Sequence, residues 1–474
     1  MAKPVKLLVS MAVAAALAGC AVGPDYRAPA APPVADFAGR DLIAPNDAAV
    51  NATWWQLFQD PLLDDLVQQA LAANRDIKIA DARLKEARAA RTGQLFDLLP
   101  TVTGKADGQA LRQSRGGVPP GTPVTRNYDL YEAGFDATWE LDLFGRGRRY
   151  RQSLIAAAQA AEAFRGGVRL SVVAELARNY FELRGAQNQL AVARRNASNQ
   201  SHALELVQSR LDAGRGTLLD TARAEAQVET TLSTVPPLEA AVARAMHRIE
   251  VLAGVVPGSL ATRLGAEAAM PSLPTGLALG RPADLLRRRP DVRVAERQLA
   301  ESSARIGVAV GDLFPRVTVN ANIGLSALRF DALGDAGNDT RSFGPSLSWG
   351  ILDYGHIRQQ IKAAGARNEA QLATYEQTVL QALEETENAL SDYSLERRRL
   401  AHLERAAKAS VQAADLATQR FEGGVSDFLT ALDAYRTALE AEDLLAASQT
   451  RAATSLIALY KALGGGWDDG TPNP

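Results

Sequence analysis

Five side chains in this sequence could serve a metal or nucleophilic site: the lone cysteine, Cys20, and the histidines His202, His247, His356 and His402. A single thiol acts as nucleophile, metal ligand, buried apolar group or lipid attachment point, and its neighbours decide which. The histidines are far apart and have no carboxylate or thiol at metal-ligand spacing, so they outline no zinc or iron site. The chain carries no Gly-x-Ser-x-Gly elbow and no phosphate-binding loop ending in Lys-Ser/Thr. GGVPPG, from Gly116, is a glycine-rich loop between two strands rather than between a strand and a helix. An enzyme is therefore not expected, an exported hydrolase of unfamiliar geometry being the remote alternative. No metal or cofactor is expected beyond a covalent lipid on Cys20.

The surroundings of Cys20 point to that lipid. Lys3 and Lys6 precede an apolar run from Leu7 to Leu17, followed by Ala18 and Gly19, the charged, apolar and small-residue order of a signal peptide. The run falls well short of the ~20 residues of a spanning helix. Leu17-Ala18-Gly19-Cys20 resembles a bacterial lipobox. The resemblance implies removal of residues 1–19 and acylation of Cys20, and Ala21 in place of Asp directs the product to the outer membrane. An ordinary secretory signal is the alternative. With its sole cysteine acylated, the chain forms no disulfide and depends on packing and association. Residues 20–52, with Pro29, Pro32, Pro33 and Pro45, read as a lipidated tether.

The elements that follow are organised as a repeat. Asp76–Thr103 aligns without gaps on Asp291–Thr318 at an offset of 215. Trp139 then meets Trp349, Gly145 meets Gly355, and Arg210–Ala226 meets Arg420–Arg436 at an offset of 210. The chain divides into a first copy, 53–255, a linker, 256–280, a second copy, 281–463, and a tail, 464–474. Each copy is expected to hold two strands, a very long helix, a turn and a further helix. In the first copy these are strands at about 100–111 and 128–142 and helices at about 145–213 and 217–250. The second has strands at about 315–328 and 341–352 and helices at about 355–421 and 427–462.

All four strands alternate with period two. Val102, Phe135, Ile323 and Phe343 belong to apolar faces, while Lys105, Asp136, Asn322 and Ser342 belong to polar ones. Their length matches the ~9–11 residues of a tilted strand crossing a bilayer. A four-stranded sheet on a soluble core is the plainer reading, but the flanking helices are far too long to cover one. A sheet in lipid must close on itself, and four strands cannot. Two chains would give eight strands and a filled interior; three would give twelve and room for a channel, with polar faces turned to water. The loops at 112–127 and 329–340 suit the exposed outer end.

Each long helix, roughly 65 residues, would extend about 100 Å. The second carries a seven-residue seam: Leu372, Tyr375, Val379, Ala382, Ala389, Tyr393, Leu400, Leu403 and Ala407, interrupted by Thr386 and Glu396. That is coiled-coil patterning. Arg165-Gly166-Gly167 should weaken the first helix locally, by about 1 kcal/mol per glycine. Only 6% of residues are aromatic, and 52 basic and 54 acidic residues mix along the chain. Low aromatic content suits close-packed helices, and the charge pattern gives no reason to expect nucleic acid.

The motifs CAVGPDYRAP, WWQLFQDPLLDDLV, WELDLFGR, LLRRRPDVRVAE, FLTALDAYRTA and LYKALGGGW together resemble the outer-membrane factors, the TolC-like exit ducts of tripartite efflux pumps, in their lipoprotein (NodT/OprM-type) branch. The resemblance implies a mainly α fold with membrane β structure: a trimeric 12-stranded barrel in outer-membrane lipid, continuous with a periplasmic 12-helix α-barrel. It implies a homotrimer working with a periplasmic adaptor (membrane fusion protein) and an inner-membrane transporter of the RND type. The turns DAGRG and EGGVS would form the periplasmic tip, with Gly214, Gly216, Gly423 and Gly424 meeting the adaptor. By the same resemblance Leu429 and Asp433 match the constricting ring and Arg436 lies on the same helix; Asp220 and Arg223 are the alternative in the first copy. A duct for secreted proteins and a non-pore coiled-coil strut are the competing functions. The cargo, whether drugs, metals, solvents or siderophores, is not written in the sequence.

Overall fold

The computed structural model describes residues 21–30, 36–38, 45–46, 51–114, 125–266, 268–274 and 276–465. Cys20, the signal segment, most of the first hairpin loop and the end of the tail lie outside them. The strands are β1 (Thr101–Arg112), β2 (Asn127–Leu141), β3 (Arg316–Ala327) and β4 (Asp339–Ser348). The longer helices are α1 (Pro61–Ala73), α2 (Arg75–Asp97), α3 (Arg146–Asp212), α4 (Leu218–Ser233), α5 (Val235–Leu252), α6 (Pro282–Arg288), α7 (Pro290–Gly311), α8 (Tyr354–Glu422) and α9 (Phe428–Ala462). The chain sorts into two compact units, through both of which α3 and α8 run.

The first unit comprises 21–29, 83–161 and 294–375. Its sheet is antiparallel in the order β1-β2-β3-β4. Two tryptophans tie strands to helices. The Trp139 indole N–H donates to the Leu98 carbonyl at 3.0 Å, and Trp349 repeats the bond to Leu313 at 3.1 Å. Each ring thus satisfies a carbonyl just beyond a helix end that has no intrahelical partner. The fourth strand ends at Ser348, so Trp349 and Ile351, expected within it, lie beyond it, Ile351 opening a short 3₁₀ turn.

The second unit comprises 30–82, 162–293 and 376–465. Its aromatic centre follows from the WWQLF motif: Trp54 stacks on Tyr460 at 5.3 Å and Phe58 meets Phe181 at 4.6 Å between ring centres. Asp60 starts α1, its Oδ1 accepting from the Leu62 and Leu63 amides at 2.9 and 3.1 Å, an N-cap with proline in the first helical position. Gly185 lets α3 approach α9 closely, since a Cβ there would fall 2.0 Å from Thr450 Oγ1.

Arg289, 7% exposed, joins several segments. Its guanidinium donates to Asp291 Oδ2 and Glu385 Oε2, both at 2.6 Å, and to the Ala462 carbonyl at the end of α9 at 3.0 Å. Burial works to raise the Asp291 carboxyl, but Arg289 outweighs it and holds the group below its ordinary value.

Several local expectations are corrected. The helix expected at 217–250 is two helices, broken at Thr234 because Pro236 and Pro237 lack N–H groups and clash with a preceding turn. α3 is continuous through Gly166 and Gly167, which leaves the expected local weakening as it stood, and Gly167 admits Pro290, whose Cβ would lie 3.3 Å from an added methyl. In α8 the buried position is Leu390 rather than Ala389. Thr386 and Glu396 are buried within the seam, Thr386 bonded to the Ala382 carbonyl at 2.8 Å and Glu396 accepting from Ser448 at 2.6 Å. The tether is partly docked: Pro45–Asn46 pairs in parallel with Leu277–Ala278 of the linker.

Candidate functional site

The surfaces that the sequence singles out are the faces of the sheet and the turns that follow the two long helices. Strand register places the apolar residues together. Phe135 pairs with Ile323, Ala321 with Phe343, and Val317 with Leu347. Phe135, Ile323, Phe343 and Leu347 are uncovered within the chain, Ile323 at 65% and Phe343 at 80% exposure. Such a patch is lipid- or partner-facing, since a soluble surface rarely leaves one open.

The opposite face satisfies itself with hydrogen bonds. Lys105 pairs with Asp136, whose Oδ1 also accepts from Asn322 Nδ2 at 2.8 Å. Asn320 Nδ2 donates to Ser346 Oγ at 3.0 Å, and Ser326 to Glu132 at 3.3 Å. Gly134 and Gly324 pair on this face. A Cβ on Gly134 would stand 2.6 Å from the Ile323 carbonyl oxygen and 2.7 Å from Gly324 Cα. The strands crowd together there as only glycine allows. Among the described residues β1 pairs only with β2 and β4 only with β3, leaving both outer edges open.

The two tip turns share one construction. The Gly214 and Gly424 amides bond back to the Leu211 and Phe421 carbonyls at 2.9 and 3.0 Å, while those of Arg215 and Val425 reach Arg210 and Arg420 at 2.8 and 2.9 Å. Both glycines are left-handed, with φ of 70° and 72°, as this helix-ending motif requires. Gly216 has a different duty: a Cβ there would meet the Leu211 amide nitrogen at 2.8 Å. Gly423 continues the turn, bonded to the Gln419 carbonyl at 3.0 Å. Thr217 and Asp427 then cap α4 and α9. Hydrogen bonds from Thr430 hold the Asp427 carboxyl below the usual carboxylate range.

Phe421, Phe428, Val207, Ala224 and Ala431 form a small core between the turns. Arg210 lies over the Phe421 ring at 4.1 Å and donates to the Phe421 carbonyl at 2.6 Å. Nothing in the order of residues marks this latch, because an arginine near a helix end is ordinary. Leu429, Asp433 and Arg436 occupy one side of α9, four and three residues apart. Leu429 is half-exposed, and Asp433 and Arg436 are exposed. Asp433 has no ion-pair partner among the described residues; its carbonyl accepts from Thr437. Of the alternative pair, Asp220 accepts from the Thr217 hydroxyl at 2.7 Å at the start of α4, and Arg223 is exposed.

Among the described residues no group of histidines and carboxylates is arranged to hold a metal ion. Nor is any helix among them long and apolar enough to cross a membrane. The family model for outer membrane efflux proteins matches residues 66–255 and 282–465. This chain belongs to the outer membrane efflux protein family. Nodulation protein T of Rhizobium leguminosarum bv. trifolii is 32% identical over 453 residues, covering 95% of this chain and 96% of the relative. The solvent efflux pump outer membrane protein SrpC of Pseudomonas putida is 31% identical over 458 residues, covering 95% and 96%. The solved outer-membrane channel OprN superposes with a TM-score of 0.88 at 42% identity, covering 94% of this chain and all of that one. As a member of the family the chain is an outer-membrane exit duct of an efflux system, reaching into the periplasm, and its relatives are transport components.

Proposed function

We propose that three copies join their sheets edge to edge into one twelve-stranded barrel, with the helices continuing it through the periplasm as a duct for small molecules. The observation that carries this reading is the sheet itself: four strands, two open edges, one exposed apolar face and one hydrogen-bonded polar face. In lipid the open edges must find partners, and identical copies supply them. Cargo arrives from an inner-membrane transporter of the RND type through a periplasmic adaptor, which grips the turns at Gly214, Gly216, Gly423 and Gly424. Leu429, Asp433 and Arg436 narrow the closed tip, and a lipid on Cys20 adds a second hold on the membrane. The name of SrpC, a solvent efflux component, supports small molecules over secreted proteins.

The test combines a gel and a bilayer. Purified protein should run as a heat-resistant trimer and give single-channel conductance in planar membranes. A monomer that conducts nothing would overturn the reading and favour a coiled-coil strut. Separately, Cys20→Ser should abolish incorporation of radioactive fatty acid; unchanged labelling would sink the lipid assignment.

A further inference from the structure

The residues directly after Cys20 are seated on a buried arginine. Arg149, in the first turn of α3, has a side chain only 5% exposed. Its Nε donates to the Val22 carbonyl at 2.9 Å, and its Nη2 to the Gly23 and Ala21 carbonyls at 3.0 and 3.2 Å, with Asp25 Oδ1 at 2.9 Å. Nη1 donates to Gln152 at 3.0 Å. The Val22 amide completes the seat by donating to the Phe144 carbonyl at 3.1 Å, three residues beyond the end of β2. Farther along, the Tyr26 hydroxyl donates to Glu296 at 2.5 Å and Arg297 lies over the Tyr26 ring.

Three glycines make the fit possible. Gly23 has φ of +88°, and a Cβ on it would come within 2.5 Å of Gly307 Cα. At Gly145 a Cβ would meet Ala21 Cα at 2.6 Å, and at Gly307 it would strike Arg149 Cγ at 2.7 Å. The repeat-equivalent positions lack the device. Gln359 stands for Arg149 and Thr92 for Gly307, while Gly355, the counterpart of Gly145, faces open space. A buried guanidinium stripped of its acceptors is costly, so Arg149 needs this segment as much as the segment needs Arg149.

We propose that Arg149 is the receptor for the mature amino terminus and fixes where the lipid anchor enters the membrane. Covalent geometry keeps residue 20 within about 3.8 Å of Ala21 Cα. The residues next to the attachment point are thereby tied to Phe144, just after the end of β2, the strand that carries Trp139, an amphipathic ring of the kind found at membrane edges. Arg149 is a positioning residue: it directs the acyl chains into the leaflet next to the barrel. The inference rests on the lipid reading of Cys20.

Hydrogen exchange of residues 21–30 in reconstituted full-length protein tests the docking. Arg149→Met and Gly23→Val, which alters only the docked segment, should each speed exchange at Val22 at least about tenfold, as expected when a local opening loses its restraint. Each variant is also made with Cys20→Ser, exported on a replacement signal peptide. Arg149→Met should lower the amount of assembled protein in the membrane when Cys20 is acylated and leave it unchanged when Cys20 is Ser. Unaltered exchange at Val22 in both variants would overturn the proposal. So would an equal loss of assembly with and without the lipid, which would make Arg149 an ordinary structural residue. Mass measurement of the amino-terminal peptide separates the two readings: an unmodified Cys20 overturns the lipid reading, whereas the other outcomes are scored on chains shown to be acylated.

Discussion

Arg210, on the first long helix, donates to the backbone carbonyl of Phe421, on the second, at 2.6 Å and lies over the same residue's ring. One side chain thus satisfies a carbonyl of the last turn of α8 and covers the small core between the tip turns. Replacing it by Met should keep much of the packing and remove the charge-assisted bond, loosening the tip by about 1–2 kcal/mol. Hydrogen exchange over 418–428 should quicken while the sheet is unaffected. Unchanged exchange there would show that the core alone holds the turns.

The tip also carries the proposed constriction. Asp433→Ala should relieve part of a barrier to anions, and the double change with Leu429→Ala should widen the opening, raising single-channel conductance without altering trimer yield. The gain in anion permeability should shrink at high salt, because exposed charge is screened over ~10 Å at 0.1 M. A double variant that conducts like the parent at every salt concentration would move the search to Asp220 and Arg223.

The two faces of β3 give a paired test. Ile323→Arg puts a charge on the exposed apolar face and should cost about 2–4 kcal/mol near the middle of the bilayer. Asn322→Arg lies on the polar face beside Asp136 and should be tolerated. Comparable yields of folded trimer from both variants would mean that the faces have been assigned wrongly.

Close approach at Gly185 predicts a coupled pair. Gly185→Ala gains about 1 kcal/mol of helix propensity but drives a methyl into Thr450, an overpacking that costs about 1–3 kcal/mol. The guanidinium midpoint of the helical signal should therefore fall. Adding Thr450→Ala, which removes the two nearest atoms, should restore most of the loss. Additive losses in the double variant would count against direct contact.

Acid stability is expected to depend on Asp291. Arg289 lowers its folded value, so its contribution is full above the unfolded value and is lost as pH falls through the folded one. Wild-type unfolding midpoints should be flat from neutrality to about pH 5 and fall below about pH 4. Asp291→Asn should be less stable at pH 7 and have a shallower acid limb. Parallel curves would remove Asp291 from the account.

The sheet was legible because period-two alternation survives any arrangement of strands. Residues such as Phe135 and Ile323 announced a face before their pairing was known. The helical seam was legible only in part. From Tyr375 the buried positions are Val379, Ala382, Thr386, Leu390 and Tyr393, with spacings of four, three, four, four and three. Those 18 residues make five turns, the 3.6 period of a straight helix rather than the 3.5 of a strict heptad, so a heptad seam falls on Ala389 where the helix buries Leu390. Arg149, Arg210 and Arg289 were not legible at all. Each bonds backbone carbonyls distant in sequence, and a carbonyl leaves no mark in the order of side chains. The tip glycines stood out because a left-handed residue after a long helix calls for one; the side chains on α9 showed their common side through spacing but not what they meet.

Gly134 and Gly324 have a consequence for passage. Where they pair, the polar wall consists of bare peptide, with no functional group to reach toward a passing molecule. Its amides and carbonyls are already engaged in the ladder. A wall of this kind is a poor sorbent: a solvent, a drug or a chelate finds few points on which to linger, and residence there is governed by diffusion.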